Sequence, residues 1–197
     1  MTRTHKELEL RRTRDGMIAR DCLAHRDGAW EALIERFERP LGYYVAQQVG
    51  AERCADVMQE VWLSAYASLA KLERPEGLRS WLYRLAHRRC ADLMRAQGRA
   101  QTIAQAVADE PTPDTPPQPL DVNADARSLH QAIAALPVHH RAVVVLFYFE
   151  DLGVVQIAQT LEVPPGTVKS RIHHARQALR KTLMGSPDTS HTAGGHR

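Results

Sequence analysis

Apolar residues recur at helical spacing along the first half of the chain. Such spacing over residues 28–49, 52–70 and 79–97 predicts three amphipathic helices. Only Pro40 interrupts the first of them, and the third is expected to stop near Gly98. No convincing strand pattern occurs in this half, so we expect it to be all-helical.

The composition changes over residues 99–126, where five prolines stand among acids, Thr and Gln. Such a segment cannot bury enough apolar surface to order itself, so we expect a flexible linker. Helical spacing then returns and predicts four short helices, over 128–136, 139–149, about 153–161 and about 165–183. The tail 185–197 is rich in Gly, Ser, Thr and His and is expected to be disordered.

The predicted fold is therefore all-α, with two small helical domains joined by a flexible linker. The expected division is a basic N-terminal extension at 1–26, a first domain at 27–98, an acidic linker at 99–126, a second domain at 127–184 and the tail at 185–197. A domain of about 60 residues buries only about 60% of its unfolded surface. We therefore expect each domain to gain stability from a partner.

Charge is distributed unevenly although the net charge is only +3. Residues 79–99 carry +5 and residues 164–181 also carry +5, whereas residues 100–126 carry −5. Two separate basic segments indicate two contacts with a polyanion, of which nucleic acid is the commonest. Two ordinary solvated helix faces would give the same charges, and charge alone leaves both interpretations open.

Several classes of protein are excluded. The longest apolar run, Ala142–Phe149, is far shorter than the ~18–20 residues of a membrane span. The N-terminus stays polar to Asp15 and lacks the apolar stretch of a secretory signal, which predicts a cytoplasmic protein without membrane insertion. Three scattered cysteines favour neither disulfides nor zinc. No phosphate loop, nucleophile elbow or H-E-x-x-H is present, so we expect no enzyme, no cofactor and no metal site.

The segment 153–183 predicts a helix-turn-helix. Its first helix points Ile157, Ala158 and Leu161 inward, and Val163 fills the turn. Its second helix repeats apolar residues at i, i+4, i+7 and i+11, which defines one buried face: Val168, Ile172, Ala175 and Leu179. In a helix-turn-helix this second helix enters the major groove by its N-terminal part.

The opposite face of that helix carries the candidate contacts to duplex DNA. They are Thr167, Lys169, Ser170, Arg171, His173, His174 and Arg176. Arg and Lys suit guanine edges and phosphates, while Ser and Thr suit several base edges. An ordinary helical hairpin with a basic outer face is the alternative. His173 and His174 are adjacent and point apart on a helix, which argues against a shared metal.

Motifs in both halves resemble one family. The second half contains Leu136-Pro137, Gln156-Ile157-Ala158, Gly166-Thr167-Val168-Lys169-Ser170-Arg171 and Ala175-Arg176. The first half contains Asp27-Gly28-Ala29-Trp30, Ala55-Asp56-Val57 with Gln59-Glu60, and Trp81-Leu82 with Leu85-Ala86. These motifs resemble regions 4 and 2 of bacterial sigma factors of the extracytoplasmic-function group, in the sigma-70 superfamily.

The resemblance implies a protein that binds core RNA polymerase and directs promoter-specific transcription initiation. It implies that the first domain grips the polymerase through one face of the second predicted helix, at Asp56, Gln59, Glu60 and Leu63. Their i, i+3, i+4, i+7 spacing places them together, and three polar groups make a poor core. A solvated stripe is the alternative for this face.

The resemblance also implies that the third helix reads the minus-ten element, while the helix-turn-helix reads the minus-thirty-five element. The minus-ten candidates are Arg79, Trp81, Arg84, His87, Arg88 and Arg95. Arginines with an aromatic group suit melted DNA, because bases stack and phosphates pair with cations. Trp81 serves equally well as a core residue. The loop 72–78 is expected to hold a base extruded from the non-template strand.

Two further expectations follow from the family pattern. Glu162 occupies the turn position where the family usually has glycine, and a left-handed backbone there costs a non-glycine residue ~1–2 kcal/mol. Anti-sigma proteins are common partners in the family. Two alternative functions stay open on the residues alone: a stand-alone helix-turn-helix regulator, which leaves Asp56, Gln59 and Glu60 unexplained, and a helical interaction protein with no role at DNA.

Overall fold

The computed structural model describes residues 5–104 and 124–184, which contain eight α-helices and no strand. The helices are α1 His5–Leu23, α2 Ala29–Val49, α3 Cys54–Ser68, α4 Leu78–Ala104, α5 Ala124–Ala134, α6 Val138–Val144, α7 Val154–Leu161 and α8 Pro165–Met184. The all-α fold of two helical domains is therefore confirmed. Residues 105–123 of the expected linker and the tail 185–197 lie outside the described residues.

Helix α1 was not predicted by the periodicity. Its sequence is mostly polar, and only a few side chains on it are buried, among them Asp15, Ala19 and Cys22. An apolar stripe this sparse gives little helical signal. The buried carboxylate of Asp15 shows instead that α1 is held partly by charge.

Two helices run past the residues expected to stop them. Helix α2 continues through Pro40, because Phe37, Leu41 and Tyr44 bury its inner face and offset the lost backbone hydrogen bond. Helix α4 was expected to end near Gly98 but continues to Ala104. An isolated glycine inside a helix costs only about 1 kcal/mol, which is too little to break it here.

Helices α1–α4 form a first helical group and α5–α8 a second, and one hydrophobic core runs through both. It includes Leu33 and Leu82 from the first group and Leu146 and Ile157 from the second. Helix α2 contacts α6, and α4 contacts α7, so the second group packs directly on the first. A smaller cluster around Ile133 joins α5, α6 and α8. In this arrangement the helix-turn-helix covers part of the α4 surface.

Candidate nucleic-acid interface

Helices α7 and α8 form the helix-turn-helix in the register that the sequence predicts. Ile157, Ala158 and Leu161 are buried on α7. Val168, Ile172 and Ala175 are buried on α8, and Leu179 is partly buried. The opposite face of α8 is therefore left for a ligand.

The turn between these helices depends on an unusual backbone position. Glu162 has φ 55° and ψ 43°, the left-handed conformation that glycine adopts most easily. The next residue, Val163, donates its N–H to the Ala158 carbonyl at 3.0 Å, which closes the turn. At the other end of α7, the Gln156 Oε1 accepts a hydrogen bond from the Gly153 N–H at 3.0 Å. That bond provides the cap that glycine itself lacks.

The sequence-predicted contacts to duplex DNA lie together on the outer face of α8. The exposed members are Lys169, Ser170, His173, His174 and Arg176, and the half-buried members are Thr167 and Arg171. The Ser170 hydroxyl donates to the Thr167 carbonyl at 3.0 Å. A face with three cations and several hydrogen-bonding groups suits phosphates and base edges.

Four histidines gather where α6 meets α8, and two of them, His173 and His174, belong to this face. The rings of His139 and His140 lie 4.4 Å apart, those of His140 and His174 6.3 Å, and those of His173 and His174 5.6 Å. Burial, followed by the charges of its neighbours, lowers the pKa of His140. Within residues 5–104 and 124–184 no group of His, Cys, Asp or Glu is arranged to hold a metal ion. The same residues include no helix that is long and apolar enough to cross a bilayer.

Two of the minus-ten candidates on α4 are buried in this arrangement. Trp81 is 7% exposed, which fits its alternative role as a core residue. Arg79 is also 7% exposed and forms ion pairs with Asp15 of α1 and Glu150 of the α6–α7 loop. Neither side chain reaches a DNA surface while the two domains are packed together.

The other minus-ten candidates lie further along α4 and are more accessible. Arg84 and His87 are half-buried, whereas Arg88 and Arg95 are exposed. The Arg88 Nε donates to the Glu162 Oε1 of the helix-turn-helix at 2.8 Å. This bond and the charge of Arg88 lower the pKa of Glu162. Burial lowers the pKa of His87, so its uncharged form is favoured.

A small cavity lies beside the loop that was expected to hold an extruded base. Its volume is about 220 Å³, and its walls include Lys71, Arg74 and Arg84 from the first domain. Glu73 and Trp81 also line the cavity, and Gln159 and Thr160 of α7 form its other side. The helix-turn-helix therefore covers one side of this cationic cavity.

The polar face of α3 is exposed, as the sequence predicts. Asp56, Gln59, Glu60 and Leu63 all lie at the surface, and Leu63 is 64% exposed. Beside them runs an apolar groove of about 850 Å³, lined by residues that include Trp30, Ile34, Trp62, Leu63 and Tyr66.

Sequence reasoning missed Ile34 and Tyr66 as parts of this surface. Tyr66 is 71% exposed and its ring contacts that of Trp30 in a tilted arrangement, with ring centroids 5.1 Å apart. Such an apolar patch rimmed by polar groups is typical of a protein-binding surface.

The chain matches two known family regions and several sigma factors. The sigma-70 region 2 family matches residues 33–100, and the sigma-70 region 4 family matches residues 126–179. The ECF RNA polymerase sigma factor SigL of Mycobacterium tuberculosis is 32% identical over 158 residues, which cover 78% of this chain and 88% of SigL. The chain belongs to the extracytoplasmic-function group of the sigma-70 family. This sigma factor is also 33% identical to SigW of Bacillus subtilis over 141 residues, which cover 65% of this chain and 74% of SigW.

Solved structures support the fold of this sigma factor. It matches the sigma factor RpoE of Bartonella quintana, crystallised with the anti-sigma factor NepR, with a TM-score of 0.66. That match has 20% identity and covers 80% of this chain and 98% of RpoE. It also matches CnrH in complex with the cytosolic domain of CnrY, with a TM-score of 0.60 and 20% identity, over 88% of this chain and 99% of CnrH.

Proposed function

We propose that this sigma factor binds core RNA polymerase through α3 and directs it to promoters that α8 and α4 recognise. The observation that carries the proposal is the presence of three chemically distinct surfaces on one chain. Helix α3 presents an acidic and apolar face, α8 presents a basic face, and α4 carries a row of arginines. A single DNA-binding surface would leave the α3 face without a role.

The polymerase-binding surface combines Asp56, Gln59, Glu60 and Leu63 with the groove beside them. An exposed leucine and tyrosine next to carboxylates offer apolar burial and charge complementarity at one place. Burying an exposed leucine contributes about 1.5–3 kcal/mol, so Leu63 is a strong candidate for a central contact.

The minus-thirty-five surface is the outer face of α8. We assign base and phosphate contacts to Lys169, Ser170 and Arg171, with further contacts from Thr167, His173, His174 and Arg176. A bidentate contact from arginine to guanine contributes about 1–3 kcal/mol of discrimination. The N-terminal turns of α8 hold most of these residues, which is the part of a recognition helix that reaches the base edges.

The minus-ten surface is the arginine row of α4 with the cavity beside residues 72–78. We assign contacts with the backbone of melted DNA to Arg84, Arg88 and Arg95, with His87 among them. Extruding a base costs a few kcal/mol, which contacts to the open strand repay without ATP. Trp81 lines the same cavity, whereas Arg79 is buried in its ion pairs with Asp15 and Glu150.

The remaining assignments follow from the same function. The first domain extends over residues 27–98 and the second over 127–184, so that each reads one promoter element. The protein acts in the cytoplasm, where RNA polymerase and DNA are found, and it performs no catalysis itself. Family regions 2 and 4, matched in that order, support this division.

Variants separate the polymerase surface from the DNA surface. Glu60→Ala and Leu63→Glu are expected to weaken binding to purified core RNA polymerase. Glu52→Ala, which removes an exposed acid outside α3, is expected to leave that binding unchanged.

Lys169→Ala and Arg171→Ala are expected to keep polymerase binding and lose promoter-specific transcripts. Loss of one base contact predicts a decrease of about 5- to 150-fold in promoter selectivity.

One result would favour a stand-alone regulator. In that case the wild-type chain would not bind core RNA polymerase, and the free chain would protect a sharp DNA site without polymerase.

A further inference from the structure

Two histidines of α6 extend the basic face of α8 beyond the recognition helix itself. His139 and His140 lie in the first turn of α6. The ring of His140 stacks on that of His174 of α8 with centroids 6.3 Å apart, and the ring of His139 lies 4.4 Å from that of His140. Helix α6 therefore brings two imidazoles to the edge of the proposed minus-thirty-five surface, where the proposed contacts of α8 do not include them.

The charges that act on His140 are all positive among the described residues. They come from His139 on its own helix and from His174 and Arg171 on α8. Burial is the first cause that lowers the pKa of His140, and these three neighbours lower it further. The uncharged form of this ring is therefore favoured in the free chain near neutral pH.

The other elements that pack on α6 supply neutral or already bonded groups at their contacts. Helix α2 offers the carbonyl of Gln47, which accepts a hydrogen bond from Arg141 of α6 at 2.7 Å. Helix α5 carries Arg127, which is exposed, and His130, whose ring bonds a tyrosine of α2 at 2.7 Å. The titratable group of residues 145–149 is Tyr148. An anion that neutralises the histidine cluster therefore has to come from a ligand.

A phosphate diester has the chemistry that such a cluster binds. A protonated imidazole has two N–H donors, and phosphate oxygens accept charge-assisted hydrogen bonds from them. Two imidazolium groups side by side repel each other, and a phosphate placed against them offsets that repulsion. Backbone phosphates flank the groove that a recognition helix enters, so this ligand is at hand when α8 lies on DNA.

We infer that His139, His140 and His174 form a proton-dependent phosphate site, which binds the DNA backbone beside the groove that α8 reads. The imidazoles take protons from solvent as the phosphate binds, so binding to duplex DNA takes up protons and becomes tighter as the pH falls. The inference rests on the proposed function, because α8 has to lie on DNA for a phosphate to reach the cluster. It gives two residues outside the recognition helix a role in DNA binding.

The test compares His140→Gln with His25→Gln, a matched control that removes an exposed histidine near the end of α1. Fluorescence anisotropy measures the affinity of the free full-length chain for a labelled 30-base-pair duplex of mixed sequence, at low salt with EDTA, at pH 7.5 and pH 6.0. Each proton taken up changes the affinity by at most about tenfold per pH unit. Between these pH values we expect wild type and His25→Gln to gain about threefold more affinity than His140→Gln.

Salt dependence provides a readout that a purely structural role of His140 would not change. Each phosphate that a cation neutralises steepens the plot of log affinity against log salt by about 0.9. From pH 7.5 to pH 6.0, the slope of wild type should therefore steepen by about 0.9 more than that of His140→Gln.

A second pair of variants covers the case in which His140→Gln fails to fold. His139→Arg places a permanent cation in the cluster at an exposed position, and His25→Arg adds the same charge elsewhere. At pH 7.5 the site predicts that His139→Arg binds the duplex about threefold or more tightly than His25→Arg does, because its cation no longer depends on a proton.

Two outcomes would overturn the phosphate site. One is a pH dependence and a change of salt slope that are the same in wild type and His140→Gln. The other is equal affinity of His139→Arg and His25→Arg for the duplex at pH 7.5.

The phosphate site and the proposed function can fail separately, and Arg171→Ala distinguishes the two failures. Duplex binding that does not weaken in Arg171→Ala contradicts the assignment of α8 as the DNA surface, and with it the site. Duplex binding that needs Arg171 but keeps its full pH dependence in His140→Gln contradicts the phosphate site alone.

Discussion

The turn residue Glu162 allows a quantitative test of the helix-turn-helix backbone. Its φ of 55° places it in the left-handed region, and its side chain pairs with Arg88 across the domain interface. Replacement by alanine removes the ion pair but keeps the unfavourable backbone. Replacement by glycine removes both.

The expected magnitudes follow from this geometry. The left-handed backbone costs a non-glycine residue about 1–2 kcal/mol. The side chains of Arg88 and Glu162 are both more than half exposed, so their pair contributes only about 0–1 kcal/mol. Glycine also makes the unfolded chain more flexible, which lowers the stability of the folded protein by about 0.4–1 kcal/mol. Glu162→Gly is therefore expected to be about 1 kcal/mol more stable than Glu162→Ala and close to wild type.

Urea unfolding measures the difference. With an m-value of about 1–3 kcal/mol/M, 1 kcal/mol moves the midpoint by about 0.3–1 M. The comparison of glycine with alanine is independent of the Arg88 pair, because both variants lose it. A glycine variant that is no more stable than the alanine variant would refute the left-handed turn. A double-mutant cycle of Glu162→Gly with Arg88→Ala should give a coupling energy below about 1 kcal/mol.

Two further predictions concern pH and packing. The pKa values of His87, His130 and His140 are each lowered, with burial as the first cause. As the pH falls, these histidines are therefore protonated in the unfolded chain before they are protonated in the folded one. The urea midpoint should stay constant above about pH 6.5 and decrease below it. A variant with glutamine at the three positions should show a smaller decrease. Ile172→Ala should destabilise the chain by about 2–5 kcal/mol, whereas His173→Ala beside it, at an exposed site, should change stability by less than about 0.5 kcal/mol. Equal losses in the two variants would contradict the register of α8.

Much of the recognition domain could be predicted because its determinants are local. The spacing of Val168, Ile172 and Ala175 defines the buried face of α8, and it therefore also defines the exposed set. The exposed face of α3 was predicted in the same way, from Asp56 and Glu60 on one side of the helix. Amphipathic periodicity is therefore sufficient to predict the buried and exposed faces of a helix that packs on the core along one side.

Residues that act between the domains could not be predicted in this way. Arg79 looks like one more arginine of a basic helix, yet it pairs with Asp15, which lies 64 positions away in the chain. Glu162 looked like a departure from the family pattern, and its bond to Arg88 emerges only when α7 packs on α4. The sequence of α1 has no apolar stripe, because charged contacts with other helices hold this helix where apolar packing would otherwise do so.

The most direct test of the central claim is transcription in a purified system. The chain is mixed with bacterial core RNA polymerase and a pool of genomic DNA, and the run-off transcripts are mapped. We expect a stable holoenzyme and discrete new start sites, which disappear with Arg171→Ala while polymerase binding is kept. Absence of polymerase binding by the wild-type chain would contradict its assignment as a sigma factor.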